Sequence, residues 1–558
     1  MRYLDPLAQK KINGPLPVEW ETEVFEKYEK PYKREGSGFT LALQYLEEKK
    51  IDKANLLSLV QRSLEATRAF QADSVTKQFQ NYHHFYLCNR LFLLNLATIY
   101  TSGFDCPDKE SILPELKAML TDVSKIYGTF NQTFPSTALP ETYLYLYEKT
   151  KKFVDSQPEE YNIFNHYSFI RDYINPLFAI NQQLINDYKV ISRSFVDYTL
   201  NKKATSIFSK NLYNGQDSKG IFLRVYEENT LAKIDKLGKL LFFDPILSGN
   251  NQRSCVSCHK PTQYFTDTNT TTSLQYNFNG FLERNTPSLV NTLFNHLLMA
   301  DGKHFNLQLQ AKSVITNSIE MGSVENDVLQ KIVSCPEYKA AFTELLPYTP
   351  TEKEISFDHV VSALTFYYSK FSNSLAPFDD AMNKQTEANK SVVNGFNVFM
   401  GKAECGTCHF APLFNGVKPP YVGSEFEVLG TPKDKDYKEL SADKGRYQIN
   451  PSAETLNAFR TGTIRNGATT KPYMHNGVFN TLDEVIDFYD GGGGAGRGLK
   501  VDNQTLSSDS LHLSKQEKLD LITFIASLTE QIPIEKAPEK LPKSSNKVLN
   551  KRRVGGMY

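Results

Sequence analysis

Two short stretches constrain this chain more than anything else in it: Cys255-Val256-Ser257-Cys258-His259 and Cys405-Gly406-Thr407-Cys408-His409. Each sets two thiols three positions apart, with an imidazole directly after the second. That spacing suits a single porphyrin: each thiol adds to one vinyl group, and the imidazole comes to rest beneath the iron. With 7 Cys and 10 His in 558 residues, chance would produce the pattern only about 0.002 times per chain, so two accidental copies are excluded. Two Cys-x-x-Cys pairs would also suit zinc, but tetrahedral zinc does not require His in the next position of both. The chain is therefore read as holding two covalent haem c groups. Cys255, Cys258 and His259 hold the first, and Cys405, Cys408 and His409 the second.

A chain that wraps two porphyrins in helices and loops should be mainly α. The length allows about three or four domains. The net charge of +0 offers no basic face for nucleic acid or an anionic membrane. The best apolar run, Leu91 to Tyr100, is interrupted by Asn95 and too short to span a bilayer, so a buried helix is expected there. Of the cysteines outside the motifs, Cys88 and Cys106 could bridge in an oxidising compartment or remain buried thiols; Cys335 is left over. Haem c is attached outside the bacterial cytoplasm, which implies the periplasm or cell envelope. The start, MRYLDPLAQKKING, has no apolar signal core, so a leader is expected outside this sequence or the start is misassigned.

Residues 1–215 carry no haem signature and read as a helical accessory domain of unknown role. Leu56, Leu57, Leu59, Val60 and Leu64 recur at helical spacing, as do Phe85, Leu91, Leu93, Leu94 and Leu96. A Tyr/Phe-rich run from Tyr161 to Tyr198 continues the pattern, with a break expected at Pro176. Adjacent His83 and His84 point to different helix faces and are read as packed or exposed rather than a metal pair. Asn214 to Lys219 reads as a linker.

Beyond it the expected lobes span 225–385 and 386–532, followed by an extended or disordered tail at 533–558. Gly238-Lys-Leu-Leu-Phe-Phe-Asp precedes the first signature and Gly395-Phe-Asn-Val-Phe-Met-Gly the second, a weak repeat suggesting two cytochrome c-like lobes related by duplication. A last helix is expected over Lys515 to Leu528, and Thr481 to Glu484 reads as a capping box. The glycines between Gly491 and Gly498 lack the Gly-Lys-Ser/Thr ending of a phosphate loop and read as a flexible loop.

From about residue 230 to 530 the chain resembles the bacterial di-haem cytochrome c peroxidase family. The matching stretches are GKLLFFDPILSGNNQRSCVSCH, ERNTPSLVN, TNSIEM, GFNVFMGKAECGTCH, FRTGTIRN and TKPYMHNGVFNTLDEVIDFY. The resemblance implies a peroxide-reacting first haem and an electron-relaying second haem, with Gln310 and Glu320 as the distal pair. A carboxylate can move a proton between the two peroxide oxygens. On one straight helix, however, ten residues span about 15 Å, so the chain should bend near Thr316-Asn317-Ser318. Lys260 to Asn295 contains no His. That implies a first iron left open in the ferric state, as in the MauG-type branch, unless His296 or His304 swings in.

The resemblance also implies that Tyr489, 14 residues after His475, is the sixth ligand of the second iron, with Met474 as runner-up. A hard phenolate oxygen should favour ferric iron. It implies a calcium ion at Asn285, Thr470 and Pro472, and Arg465 near a haem propionate. One departure stands out: where the family has Trp between the haems, this chain has Ala300-Asp301-Gly302, and its single Trp is Trp20. A Tyr or Phe relay, or direct haem-to-haem transfer, would replace the indole. Three functions follow. The first is reduction of hydrogen peroxide with electrons from a small donor such as a cytochrome c or cupredoxin. The second is MauG-type oxidation of a protein or organic substrate, and the third an electron-transfer role in an envelope complex reached through residues 1–215.

Overall fold

The computed structural model describes residues 36–69, 71–73, 80–104, 108–191, 200–349, 353–419 and 426–557, with short pieces at 11–12, 18–21, 32–34, 77 and 106. Most of the start considered for a leader, the side chain of Trp20 and residues 192–199 of the Tyr/Phe-rich run lie outside them. The fold is mainly α, as expected. A small antiparallel pair, β1 (Val18–Glu21) and β2 (Tyr32–Arg34), precedes the helices α1 (Gly38–Glu47) and α2 (Lys53–Ala69). On α2 Leu59 is buried, but Leu57, Val60 and Leu64 are exposed.

The next layer comprises α3 (Tyr82–Thr98), α4 (Lys109–Thr133), α5 (Glu141–Asp155) and α6 (Asn175–Asp187). Asn81 starts α3 by accepting the His83 N–H at 2.9 Å. Leu93, Leu94 and Leu96 on α3 are fully buried, so the Leu91–Tyr100 run is core helix. The break expected at Pro176 does not occur. Pro176 sits in the first turn of α6, where its missing N–H costs nothing, and the chain enters through a wide π turn over Phe169–Ile174. A buried polar knot locks the layer: Asn89 Nδ2 donates to Tyr143 OH and Asn181 Oδ1, both at 2.8 Å, and Tyr127 OH donates to Asn89 Oδ1 at 2.6 Å.

The first haem lobe is built from α7 (Glu228–Phe243), α8 (Leu307–Thr316), α9 (Glu325–Val333), α10 (Pro336–Leu345) and α11 (Phe357–Ser369). A short helix α12 (Pro377–Met382) leads to the second lobe, made of α13 (Lys390–Met400), α14 (Leu482–Asp490) and α15 (Lys515–Ser527), with a two-residue ribbon of β3 (Phe426–Glu427) on β4 (Phe459–Arg460). In each lobe the helix before the haem signature crosses the lobe's last helix at a glycine. A Cβ on Gly238 would overlap the Ala363 carbonyl and come within 2.7 Å of Tyr367 Cβ; one on Gly395 would overlap the Asp520 carbonyl and come within 2.8 Å of Phe524 Cβ. The weak sequence repeat is thus the same helix crossing made twice.

Two hydrophobic cores result, and their division cuts across the sequence order. One belongs to the first lobe. The other runs without interruption from the N-terminal helices into the second lobe, joining Tyr167 and Phe208 to Phe378, Phe396 and Phe524. Polar contacts follow the same seam: Tyr161 OH donates to Met400 O at 3.0 Å, and Tyr167 N to Asn397 Oδ1 at 2.8 Å. The segment Asn214–Lys219 is ordered, with Gln216 N on Leu293 O at 2.8 Å. The Gly491–Gly498 run is not a loose loop: Gly493–Gly496 form one helical turn, Gly494 N donates to Leu429 O at 2.9 Å, and Gly494 approaches the Gly430 backbone too closely for any side chain.

The tail, expected to be extended or disordered, is docked, and Lys547–Lys551 within it form a short 3₁₀ helix with Leu549 buried. Arg552 is buried against Asp244, donating from Nε at 2.6 Å and from Nη2 at 3.0 Å. Further on, Gly555 N donates to Phe243 O at 2.8 Å and Met557 N to Gln252 O at 2.9 Å.

Candidate functional site

The first signature forms a tight turn, Cys255–Ser257, which follows α7 after a short 3₁₀ turn at Pro245–Leu247 and is closed by a Ser254–Ser257 capping box. His259 N donates to Cys255 O at 2.9 Å, which brings the imidazole back under the two sulfurs. The His259 Nδ1–H points to Phe265 O at 3.0 Å, leaving Nε2 as the nitrogen available to iron. Burial lowers the pKa of His259, so the ring is neutral, as a metal ligand must be. The second signature repeats the device. The Cys405–Thr407 turn follows α13, His409 N donates to Cys405 O at 2.9 Å, and His409 Nδ1 meets Phe414 O at 3.1 Å.

All four motif thiols are free of disulfides. Burial pushes Cys255 and Cys405 up to about 12 and raises Cys258 and Cys408 as well. Paired, half-buried, unbridged sulfurs with an oriented neutral imidazole fit haem c in both lobes. Among the described residues no cluster of three His, Cys, Asp or Glu could hold a bare metal ion. His84 Nε2 instead lies 3.5 Å from Cys88 Sγ, and His83 Nδ1 accepts the Ile191 N–H at 3.3 Å.

Gln310 and Glu320 are separated by a bend at Asn317, as expected. Helix α8 carries Gln310 and stops at Asn317, whose carbonyl accepts from the N–H groups of Glu320, Met321 and Gly322. The turn reverses the chain, and Asn317 Nδ2 donates to Glu320 Oε1 at 2.8 Å. Arg253, two residues before Cys255, clamps the same turn by donating to Glu320 O at 3.0 Å. The Glu320 carboxylate is near enough to the Cys258 sulfur to raise its pKa. Glu320 is itself shifted upward, because desolvation outweighs its hydrogen bond from Asn317 and the charges of Arg253 and Lys303. Gln310 Nε2 donates to Met299 Sδ at 3.8 Å, beside Ala300. His304 is tied back through a backbone bridge to Leu298, with burial lowering its pKa.

On the second lobe Tyr489 lies in the last turn of α14, whose start is the expected Thr481–Glu484 capping box. Desolvation raises its pKa well above the ordinary phenol value, with Cys405, Cys408 and Glu427 adding to the shift. Its ring is therefore grouped with the second pair of haem sulfurs, and a tyrosinate there would need a cation beside it. Met474 adopts a left-handed backbone conformation, φ 66, in the loop just before His475.

Asn285 and Pro472 come together directly, Asn285 Nδ2 donating to Pro472 O at 2.7 Å, and Asn285 N reaches His475 O at 2.8 Å. Thr470 Oγ1 donates to Asn466 O at 3.2 Å. The donor set is all neutral oxygen, which a hard cation accepts, though without a carboxylate. Arg465 is placed otherwise than the propionate role implies. Its five N–H groups go to Asp379, Glu530 and Pro412 O, in a fully buried cluster that Lys210 joins through Glu530 at 2.9 Å. No donor is left for a propionate.

Two features escaped the sequence. One is the clamp in which Arg284 grips Asp443 at 2.6 Å and Asp301 at 2.8 Å, joining the lobes beside the segment that replaces the family's Trp. Phe459 lies there too, stacked on His475 at 3.8 Å. The other is the tail contact, where Ser254 and Ser257 hydroxyls donate to Gly555 O at 2.9 and 3.3 Å. The available hints were the Gly-Gly pair of the tail and the acidic residues at 301 and 443. Neither names a partner 159 or about 300 residues away.

A family model described as di-haem cytochrome c peroxidase matches residues 232–387. The chain is 30% identical over 329 residues to the cytochrome-c peroxidase IdrP2 of Denitromonas iodatirespirans, covering 56% of this chain and 85% of that protein. It is 33% identical to a cytochrome c551 peroxidase of Pseudomonas aeruginosa, over 45% of this chain and 70% of the relative. It is also similar to the methylamine utilization protein MauG of Methylorubrum extorquens, with 29% identity over 52% of this chain and 77% of that protein.

Proposed function

Because the chain belongs to the di-haem cytochrome c peroxidase family, and so is a haem-dependent oxidoreductase, we propose that it reduces hydrogen peroxide at the first haem. Electrons reach that haem through the second, from a small redox protein such as a cytochrome c or a cupredoxin. The balance is one peroxide, two electrons and two protons giving two waters. When bound, the first haem supplies the iron that takes the peroxide, and the second stores and passes the electrons. Glu320 accepts the proton of the inner peroxide oxygen and returns it to the outer one, which leaves as water. A carboxyl held above its ordinary pKa by desolvation is suited to carrying that proton. Gln310, tethered at Met299, orients the peroxide. His259, its tautomer fixed by Phe265 O, would hold the iron of the first haem, and His409 with Tyr489 would hold that of the second.

The observation that carries this reading is the reversal at Asn317, which ties Glu320 through Arg253 to the chain two residues before the first haem signature. The test is rapid mixing of the matured protein with hydrogen peroxide. The first haem should change its spectrum, and Glu320→Gln should slow that change; an unaltered rate in the variant defeats the assignment. The grouping of Tyr489 with Cys405 and Cys408 supports a second reading, MauG-type oxidation of a protein or organic substrate. Fast turnover with reduced cytochrome c ranks the first reading above it. We further assign the protein to the periplasm or envelope, with residues 1–215 able to meet an envelope complex. No helix among the described residues is long and apolar enough to cross a membrane. Asn285, Thr470 and Pro472 are proposed to hold calcium between the lobes.

A further inference from the structure

Two arginines of one short stretch are treated oppositely by the fold. Arg465 has every donor satisfied and two carboxylates beside it. Arg460, at the end of β4, has neither. Its Nη1 donates to Asn295 Oδ1 at 3.2 Å and more weakly to Thr461 O at 3.4 Å, both neutral acceptors. Its Nε is sealed from solvent with no acceptor, and no carboxylate among the described residues pairs with it. Burial lowers its pKa to about 10, which still leaves it charged at neutral pH. A guanidinium that is half-buried with its Nε sealed cannot shed its proton there, so leaving it unmatched is costly, and an anion from outside the polypeptide relieves that cost.

Its position says which anion. Arg460 N donates to Ala300 O at 2.8 Å, so the residue sits on the seam with the first lobe. Two positions on, the Gly462 backbone interacts with the His409 ring, the proximal ligand of the second haem. The only carboxylates that the reaction's own cofactors bring to this place are porphyrin propionates.

We propose that Arg460 is the ion-pair partner of a propionate of the second haem, with Asn295 holding the guanidinium in place. This rests on the two-haem reading. It moves the propionate contact from Arg465, where the resemblance put it, to a residue five positions earlier. It also ties the edge of the second haem to Ala300, at the point where the family's interhaem Trp is missing.

The test begins with a haem count by pyridine haemochrome, so that loss of a haem is not confused with failure of the contact. Both midpoint potentials are then followed from pH 5 to 9 by spectroelectrochemistry. Arg460→Met removes the cation and leaves the propionate charge uncompensated beside the iron, favouring the ferric form. The expected result is at least a tenfold shift of the second haem's reduction equilibrium (59 mV for one electron) towards lower potential. That potential should also become pH-dependent, while the first haem does not change. Arg460→Lys should restore most of the shift. Two bound haems with unchanged potentials, or a shift confined to the first haem, overturn the proposal.

Should Arg460→Met not mature, Asn295→Asp decides. It offers Arg460 a protein carboxylate in competition with the propionate, and so should lower the second haem's potential with the cation still in place. If that variant leaves both potentials where they were and only raises thermal stability, Arg460 carries no propionate.

Discussion

The two lobes make the same local object and then protect it by opposite means. In each, a helix crosses its partner at a glycine, enters a Cys-x-x-Cys-His turn, and fixes the proximal imidazole through Nδ1 on a backbone carbonyl. Outside that shared unit they diverge. The second lobe is backed by the N-terminal helices, which share its core and pair Lys109 with Glu404 beside the haem turn. Among the described residues the first lobe keeps a core of its own and is closed by the far end of the chain, where Gly555 lies on Ser254 and Ser257. The same unit is built twice, and the two ends of the chain explain how each copy is held. The chemistry diverges in parallel: the first copy acquires a turn bearing a desolvated carboxylate, and the second a tyrosine.

The largest expected effect separates those two distal sides. Glu320→Gln should cut the peroxide reaction by about 10²–10⁴-fold, the usual contribution of a positioned proton-transfer group, while leaving the spectrum of the second haem alone. Tyr489→Met should do the reverse, altering only the low-spin signal of the second haem in electron paramagnetic resonance. If both variants alter the same haem, the division of labour between lobes is wrong.

Next in size is the tail. Arg552 and Asp244 are both almost fully buried, so Arg552→Met strands a carboxylate with only Tyr338 OH and the Ile246 N–H to answer it. Breaking one side of a buried pair costs roughly 3–5 kcal/mol. Thermal unfolding followed at each haem should show the first lobe melting earlier and the second unmoved. Equal loss in both lobes would mean that the tail supports the whole molecule. The glycine crossings should cost less, because a methyl displaces one helix pair by a fraction of its spacing. Gly238→Ala and Gly395→Ala are each expected to destabilise by about 1–3 kcal/mol, measured by denaturant titration, and each should act in its own lobe.

What could be seen in the sequence was what lies close together in it. The two signatures, the bend at Asn317, the Thr481 cap and the buried Leu93-Leu94-Leu96 helix depend on neighbours within a few residues. What could not be seen depends on pairings across the chain. Arg465 was assigned by motif position. Its real partners, Asp379 and Glu530, come from 86 and 65 residues away, and nothing local distinguishes a saturated arginine from a bare one. The tail's Lys, Pro and Gly content spoke against a packed core of its own, which is correct. It said nothing of docking on another element's core. A proline in a helical run signals a break from sequence alone, yet in the first turn of α6 the fixed φ of Pro176 is an advantage.

The smallest expected effect compares two carboxylates whose environments pull in opposite directions, and it has opposite signs in the two. At Asp443 burial alone would raise the pKa, but the hydrogen bonds and charge of Arg284 prevail and hold it below the usual range. Its contribution to stability is thus complete above the unfolded value near pH 4 and is lost as pH falls through the lower folded value. At Glu320 desolvation prevails and the pKa is raised, so the folded state binds the proton more tightly. The stability tied to that proton is complete below the unfolded value and is lost as pH rises through the folded one. Asp443→Asn should therefore flatten the acid limb of unfolding, with a cost on the order of 1 kcal/mol at neutral pH from the weakened clamp. Glu320→Gln should remove a slope of the other sign just above pH 4, and with it the acid limb of the peroxide reaction. Parallel shifts in the two variants would mean that the seam between the lobes and the distal pocket share one electrostatic environment, and the contrast between a clamp and a proton carrier would fall.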